Sequence, residues 1–147
     1  MYSIALLLHI LAATVWTGGH IVLATTILPR ALKNKDVESL RNFEQGYEKI
    51  GIPALIIQVT TGLYMAFTLV PQIDMWFDWS NPIAKIISLK LGLLLITAIL
   101  AVDARLRIIP KLSPKNINAL AWHIIPVTFV SILFVIVGVS MKTGWLN

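Results

Sequence analysis

The chain has 147 residues, of which 57% are hydrophobic and 13% charged. Soluble domains carry about 25% charge, so this composition belongs to a single integral membrane domain. No cysteine is present, which excludes disulfides, zinc–thiolate and iron–sulfur sites and thiol catalysis. The net charge of +5 gives no reason to expect nucleic acid, because the basic residues gather at the ends of apolar segments, where membrane topology accounts for them.

The first apolar run, Tyr2 to Leu28, holds no acid, lysine or arginine and is closed by Pro29. A spanning helix needs about 20 apolar residues. The run exceeds a signal-peptide core and has no basic residue before Arg30, so it reads as a retained first helix. Further spans are predicted over roughly 50–70, 83–102 and 117–141. Alternating strands of barrel type are absent, so the predicted fold is all-α, a four-helix transmembrane bundle. Between the first two spans, Val37, Leu40, Phe43 and Tyr47 recur at helical spacing among charges. Residues 36–49 therefore read as an amphipathic surface helix, a cytoplasmic extension of the second span or a solvated connector.

The loops set the orientation. Arg30, Lys33, Lys35, Arg41 and Lys49 lie between spans one and two, and Arg105, Arg107, Lys111 and Lys115 between spans three and four. The positive-inside rule puts these loops in the cytoplasm and both termini outside, as in a bacterial-type inner membrane. Trp76, Phe77, Trp79 and Trp145 then form an outer aromatic belt.

An ionisable side chain inside a span is costly and usually has a partner and a task. His9 and His20 share one face of the first helix, about 16 Å apart along its axis. Trp16, Gly18 and Gly19 lie between them, the glycines leaving room for a flat ligand or a second helix. In the predicted topology His20 and His123 fall at one inner depth, and His9 and Lys90 at one outer depth. The inner pair suits the axial positions of a b-type haem, with Arg30 and Arg105 near enough to the inner surface to pair with propionates. The bland alternative is that each histidine bridges helices by hydrogen bonds. Lys90 is neutral, snorkels outward or pairs with an anion. A competing reading takes copper as the ligand, since thioethers and imidazole select it. Met1, Met65, Met75 and Met141 all map to the outer half with His9, although no closely spaced methionine cluster exists.

The stretch His9 to Gly19, Leu28–Pro29–Arg30, Gly51 to Pro53, Thr61 to Leu63 and the segment around Lys90 resemble the CopD family of copper-resistance membrane proteins. They also resemble the related HemJ-type proteins, haem-containing protoporphyrinogen oxidases. The HemJ resemblance implies a haem b, a required histidine at His9 and a required lysine, with a catalytic role, at Lys90. The chain departs from that pattern at Asp103 and Arg105, where a histidine is common, and in carrying His20 and His123. The leading expectation is a haem b redox protein exchanging electrons with a quinone or porphyrinogen in the bilayer. The alternative is copper transport or tolerance. Gly138 with Ser131 and Ser140 offers a small-residue face for a homo-oligomer.

Overall fold

The computed structural model describes residues 1–146. Four helices are long and apolar enough to cross a membrane: α1 (Tyr2–Asn34), α2 (Val37–Leu69), α3 (Pro82–Lys111) and α4 (Ile117–Thr143). The described residues contain no strand. An even number of antiparallel spans brings both chain ends and the 70–81 loop to one end of the bundle, here the terminal end. The two arginine- and lysine-rich connections form the other, basic end.

The first helix does not stop at Pro29. It runs on to Asn34 through a π-helical turn over Leu23–Ile27, with Pro29 in the first turn of the segment beyond. A proline in a helix removes one backbone hydrogen bond and crowds the carbonyl four residues back. The wider π turn inserts one residue and absorbs both effects. The inserted residue also shifts the buried face. Trp16, His20 and Leu23 keep α-helical spacing, and the next buried positions are Leu28 and Ala31. An unbroken α-helix would bury 27 and 30, turning Arg30 inward; Arg30 is instead exposed.

The amphipathic stretch 36–49 is an extension of the second span: α2 is one helix of 33 residues. Asp36 caps it by accepting from the Ser39 N–H at 3.0 Å. Lys35 adopts the left-handed conformation (φ 51°), which makes the reversal from α1 short. Pro53 lies within α2 and Pro126 within α4, as spanning helices tolerate. Asn81 caps α3 by accepting from the N–H groups of Ile83 and Ala84.

α1 packs along α2 and against α4, and α3 packs along α4. At the basic end, Leu28, Ala31, Leu40, Leu112, Ile117 and Leu120 make a core like that of a soluble protein. At the terminal end, Trp76 is buried with Ala66, Val70 and Ile87. Its indole N–H donates to the Val70 carbonyl at 2.8 Å, so Trp76 leaves the aromatic belt. Phe77, Trp79 and Trp145 stay exposed. Ser131 and Ser140 are fully buried within the chain, and Gly138 faces Lys90, so the small-residue face is spent inside rather than offered to a second copy.

Candidate functional site

Between the helices runs a series of buried polar side chains. Thr17, His20, Gln58, Thr97, Thr128, Ser131 and Ser140 are all buried. Contacts between helices set their levels.

Nearest the terminal end, His9 on α1 meets Thr61 on α2, with Nδ1 3.0 Å from the hydroxyl oxygen. The hydroxyl already donates its proton to the Ile57 carbonyl at 2.6 Å. It is therefore the acceptor, and Nδ1–H of His9 is the donor. In the neutral ring this leaves a lone pair on Nε2. The ring packs over Gly62, where a Cβ would stand 3.1 Å from its Cε1. On α3, the Lys90 ammonium lies over Gly138 of α4. Lys90 has no ion pair or hydrogen bond among the described residues. The register set by Thr17 on Ser131 and by Lys90 on Gly138 puts His9 and Lys90 at similar depth. One turn before Thr61 on α2, Gln58 is buried, and its Oε1 has no partner among the described residues. Met65 is the one buried methionine and sits one turn from Thr61 on the same face of α2. Met1, Met75 and Met141 are exposed.

One level further in, the Thr17 hydroxyl donates to the Ser131 carbonyl at 3.3 Å. Lys90 on Gly138 and Asp103 on His123 fix the register of α3 against α4, which puts Thr97 level with Ser131. Next comes His20, whose Nδ1 lies 2.8 Å from the Trp16 carbonyl. A carbonyl only accepts, so Nδ1 carries the proton and Nε2 again holds the lone pair. Thr128 donates to the His20 carbonyl. Trp16 packs against the His20 ring with centroids 4.5 Å apart, and Tyr47 meets it edge-on at 5.5 Å.

Tyr47 overturns part of the haem expectation. Its ring fills the space that Gly19 leaves: a Cβ on Gly19 would overlap the ring. Its hydroxyl donates to the Trp16 carbonyl at 2.9 Å. The glycine admits a neighbouring side chain, not a macrocycle. Gly18 has open space beside it.

His123 is spoken for at both nitrogens. Nδ1 lies 2.9 Å from the Ala119 carbonyl and Nε2 2.7 Å from Asp103 Oδ2. With a carbonyl against one nitrogen and a carboxylate against the other, neither ring nitrogen is open to a metal. Arg107 holds the other Asp103 oxygen at 2.8 Å. The pairing of His20 with His123 on one haem is therefore not formed. His9 and His20 lie along one helix face and cannot sandwich a single haem either. The residues present do not fit a bis-histidine haem b. The supposed propionate partners are also placed elsewhere: Arg105 pairs with Glu48 across α2 and α3, and Arg30 is exposed. A cleft of about 400 Å³ at the basic end is lined by Arg41, Glu44, Glu48 and Arg105.

Outside the spans, the Asp78 carboxylate accepts from the Ser80 hydroxyl and N–H, which holds it below the usual carboxylate range. The described residues contain no cluster of three or more histidine, aspartate or glutamate side chains placed to hold a metal ion.

Four spanning helices around a polar interior define a multi-pass membrane protein. Residues 41–141 match the family described as Copper resistance protein D, and the chain belongs to this CopD family. The match takes in Lys90 and His123 but begins after α1, so the parts played by His9 and His20 rest on their contacts. No curated protein and no solved structure matches the chain.

Proposed function

We propose that the protein moves or sequesters copper within the bilayer, with His9 and His20 as successive stations for Cu(I). The observation that carries this reading is the tautomer imposed on both rings. Each Nδ1–H is tied to an acceptor on the protein, Thr61 for His9 and Trp16 for His20, leaving Nε2 as an available soft-metal ligand. The buried hydroxyls of Thr17, Thr97, Thr128 and Ser131 lie between and beside the two stations. The Met65 thioether supplies a second soft donor near His9. Family membership supports copper over haem as the ligand. The basic end faces the cytoplasm and both termini lie outside, as the clustered arginines and lysines require.

The test is an anaerobic titration of the detergent-purified chain with Cu(I) against a chromophoric chelator, with iron and the visible spectrum recorded on the same sample. Retention of Cu(I) by the native chain, weakened at least about tenfold in His9→Ala (about 1.4 kcal/mol), is the expected result. A sharp reduced α-band with stoichiometric iron and no Cu(I) binding would sink the proposal in favour of haem.

A further inference from the structure

The cleft at the basic end is used by neither histidine station. α1 packs along α2 and α4 along α3, but α2 and α3 do not pack along each other. The gap between them is bridged at the basic end by the ion pair of Arg105 with Glu48. On the bilayer side of that bridge, Ile52 of α2 and Ala101 and Val102 of α3 are exposed, so both edges of the gap are apolar. On the other side lies the cleft of about 400 Å³, lined by Arg41, Glu44, Glu48 and Arg105, a volume on the scale of small-ligand sites. The apolar run of α2 begins at Ile50 and that of α3 ends at Val102. Glu48 and Arg105 stand within one turn of those limits, so the cleft occupies the headgroup layer of the bilayer. Its charges balance in number, yet they are not all paired. Glu48 holds Arg105, and Arg41 gives one N–H to the Leu112 carbonyl at 3.2 Å. Glu44, half-buried, has no ion pair or side-chain hydrogen bond among the described residues. A carboxylate sheltered from water calls for a cationic partner. Each guanidinium has five N–H donors, so both arginines keep some for an anion.

We infer that this cleft binds a phospholipid with a primary-ammonium headgroup, of the phosphatidylethanolamine class. The ammonium pairs with Glu44, the phosphate takes the free donors of Arg41 and Arg105, and the acyl chains lie along the apolar edges at Ile52 and Val102. The inference does not rest on the copper reading, because none of these residues belongs to either station. Charge selects the headgroup. An anionic headgroup such as phosphatidylglycerol would satisfy the arginines but leave Glu44 facing a second negative group. A quaternary ammonium carries the charge without an N–H to donate. A soluble amine has nothing to lay along the apolar edges. The basic end as a whole attracts anionic lipid, so a preference for the zwitterion is the opposite of what net charge alone would give.

The experiment is native mass spectrometry of the metal-free, delipidated full-length chain in detergent. It is offered equal amounts of phosphatidylethanolamine and phosphatidylglycerol with identical acyl chains. Three proteins are compared: the native chain, Glu44→Gln and Lys115→Met, with helicity checked for each by circular dichroism. The native chain and Lys115→Met, which loses a cation at the same end but outside the cleft, should retain one phosphatidylethanolamine in preference. Glu44→Gln keeps the shape of the side chain and should fold. It should lose about tenfold in that preference, the scale of one hydrogen bond to a charged group. Phosphatidylcholine in place of phosphatidylethanolamine should show no preference over phosphatidylglycerol in the native chain. Equal retention of the ethanolamine and glycerol lipids by the native chain, a preference for the glycerol lipid, or an unchanged preference in Glu44→Gln overturns the inference. Because copper is absent throughout, either result leaves the Cu(I) titration to be judged separately.

Discussion

The imidazoles of this chain differ by what their Nδ1 and Nε2 atoms meet, not by their depth in the membrane. His9 and His20 each donate from Nδ1 and keep Nε2 open; His123 meets protein partners at both nitrogens. Hydrogen-bond inventory therefore separates two candidate ligands from one structural residue. Replacing Thr61 with valine tests this without touching a ligand. It removes the acceptor for His9 Nδ1–H, frees the ring to rotate or change tautomer, and should weaken Cu(I) binding about 10-fold, as losses of groups supporting a metal ligand do. Thr60→Val, one residue away and exposed, should leave the affinity unchanged. Equal effects of the two would remove Thr61 from the site. Gly19 makes a second prediction. An alanine there must displace the Tyr47 ring, so Gly19→Ala should destabilise the protein by about 1–3 kcal/mol, read as a lower unfolding midpoint. Tyr47→Ala should recover most of that loss in the double variant, since residues in contact couple.

At the scale of elements, the four spans follow from apolar length, and their ends drift from expectation for identifiable reasons. Pro29 reads as a stop because proline usually ends a helix. The π turn that carries α1 past it leaves no local signal except the buried pattern 16, 20, 23, 28, 31, whose single five-residue step is visible only once burial is known. The similar depth of His9 and Lys90 was legible, because depth along antiparallel helices is simple arithmetic. The pairing of His20 with His123 was equally good arithmetic and failed, because depth says nothing about rotation: His20 turns toward Tyr47, and His123 toward Asp103. Tyr47 escaped as a site residue because an interfacial tyrosine is common in membrane helices. The π turn itself can be tested. Deleting Thr26 together with Pro29→Ala turns the segment into plain α-helix while keeping Leu28 and Ala31 inward, and the protein should accumulate and stay helical. Deleting Ala13 instead rotates His9 and Ala12 away from their partners and should abolish folding. Equal yields from the two deletions would show that the extra residue does not set the phase.

For the whole molecule, the basic end and the terminal end differ in kind. The basic end has a soluble-like core, ion pairs between α2, α3 and α4, and most of the cations; the terminal end has exposed aromatics and a short polar loop. A cation bound within the bundle would meet His9 from the terminal side and His20 from the basic side, so the station nearer the outside is set by which end faces the cytoplasm. The charge asymmetry argues that it is the basic end, since translocating that many lysines and arginines is disfavoured. The chain has no cysteine, so single introduced thiols report sidedness without background. Ser80→Cys, in the exposed turn before α3, and Lys115→Cys, in the turn before α4, are the two probes. In intact cells an impermeant maleimide should label the cysteine at 80 and spare the one at 115, and both should label once the membrane is opened. The reverse pattern would invert the bundle and make His20 the first station that external copper meets. Which of the two stations lies nearer the cytoplasm is decided by that one comparison.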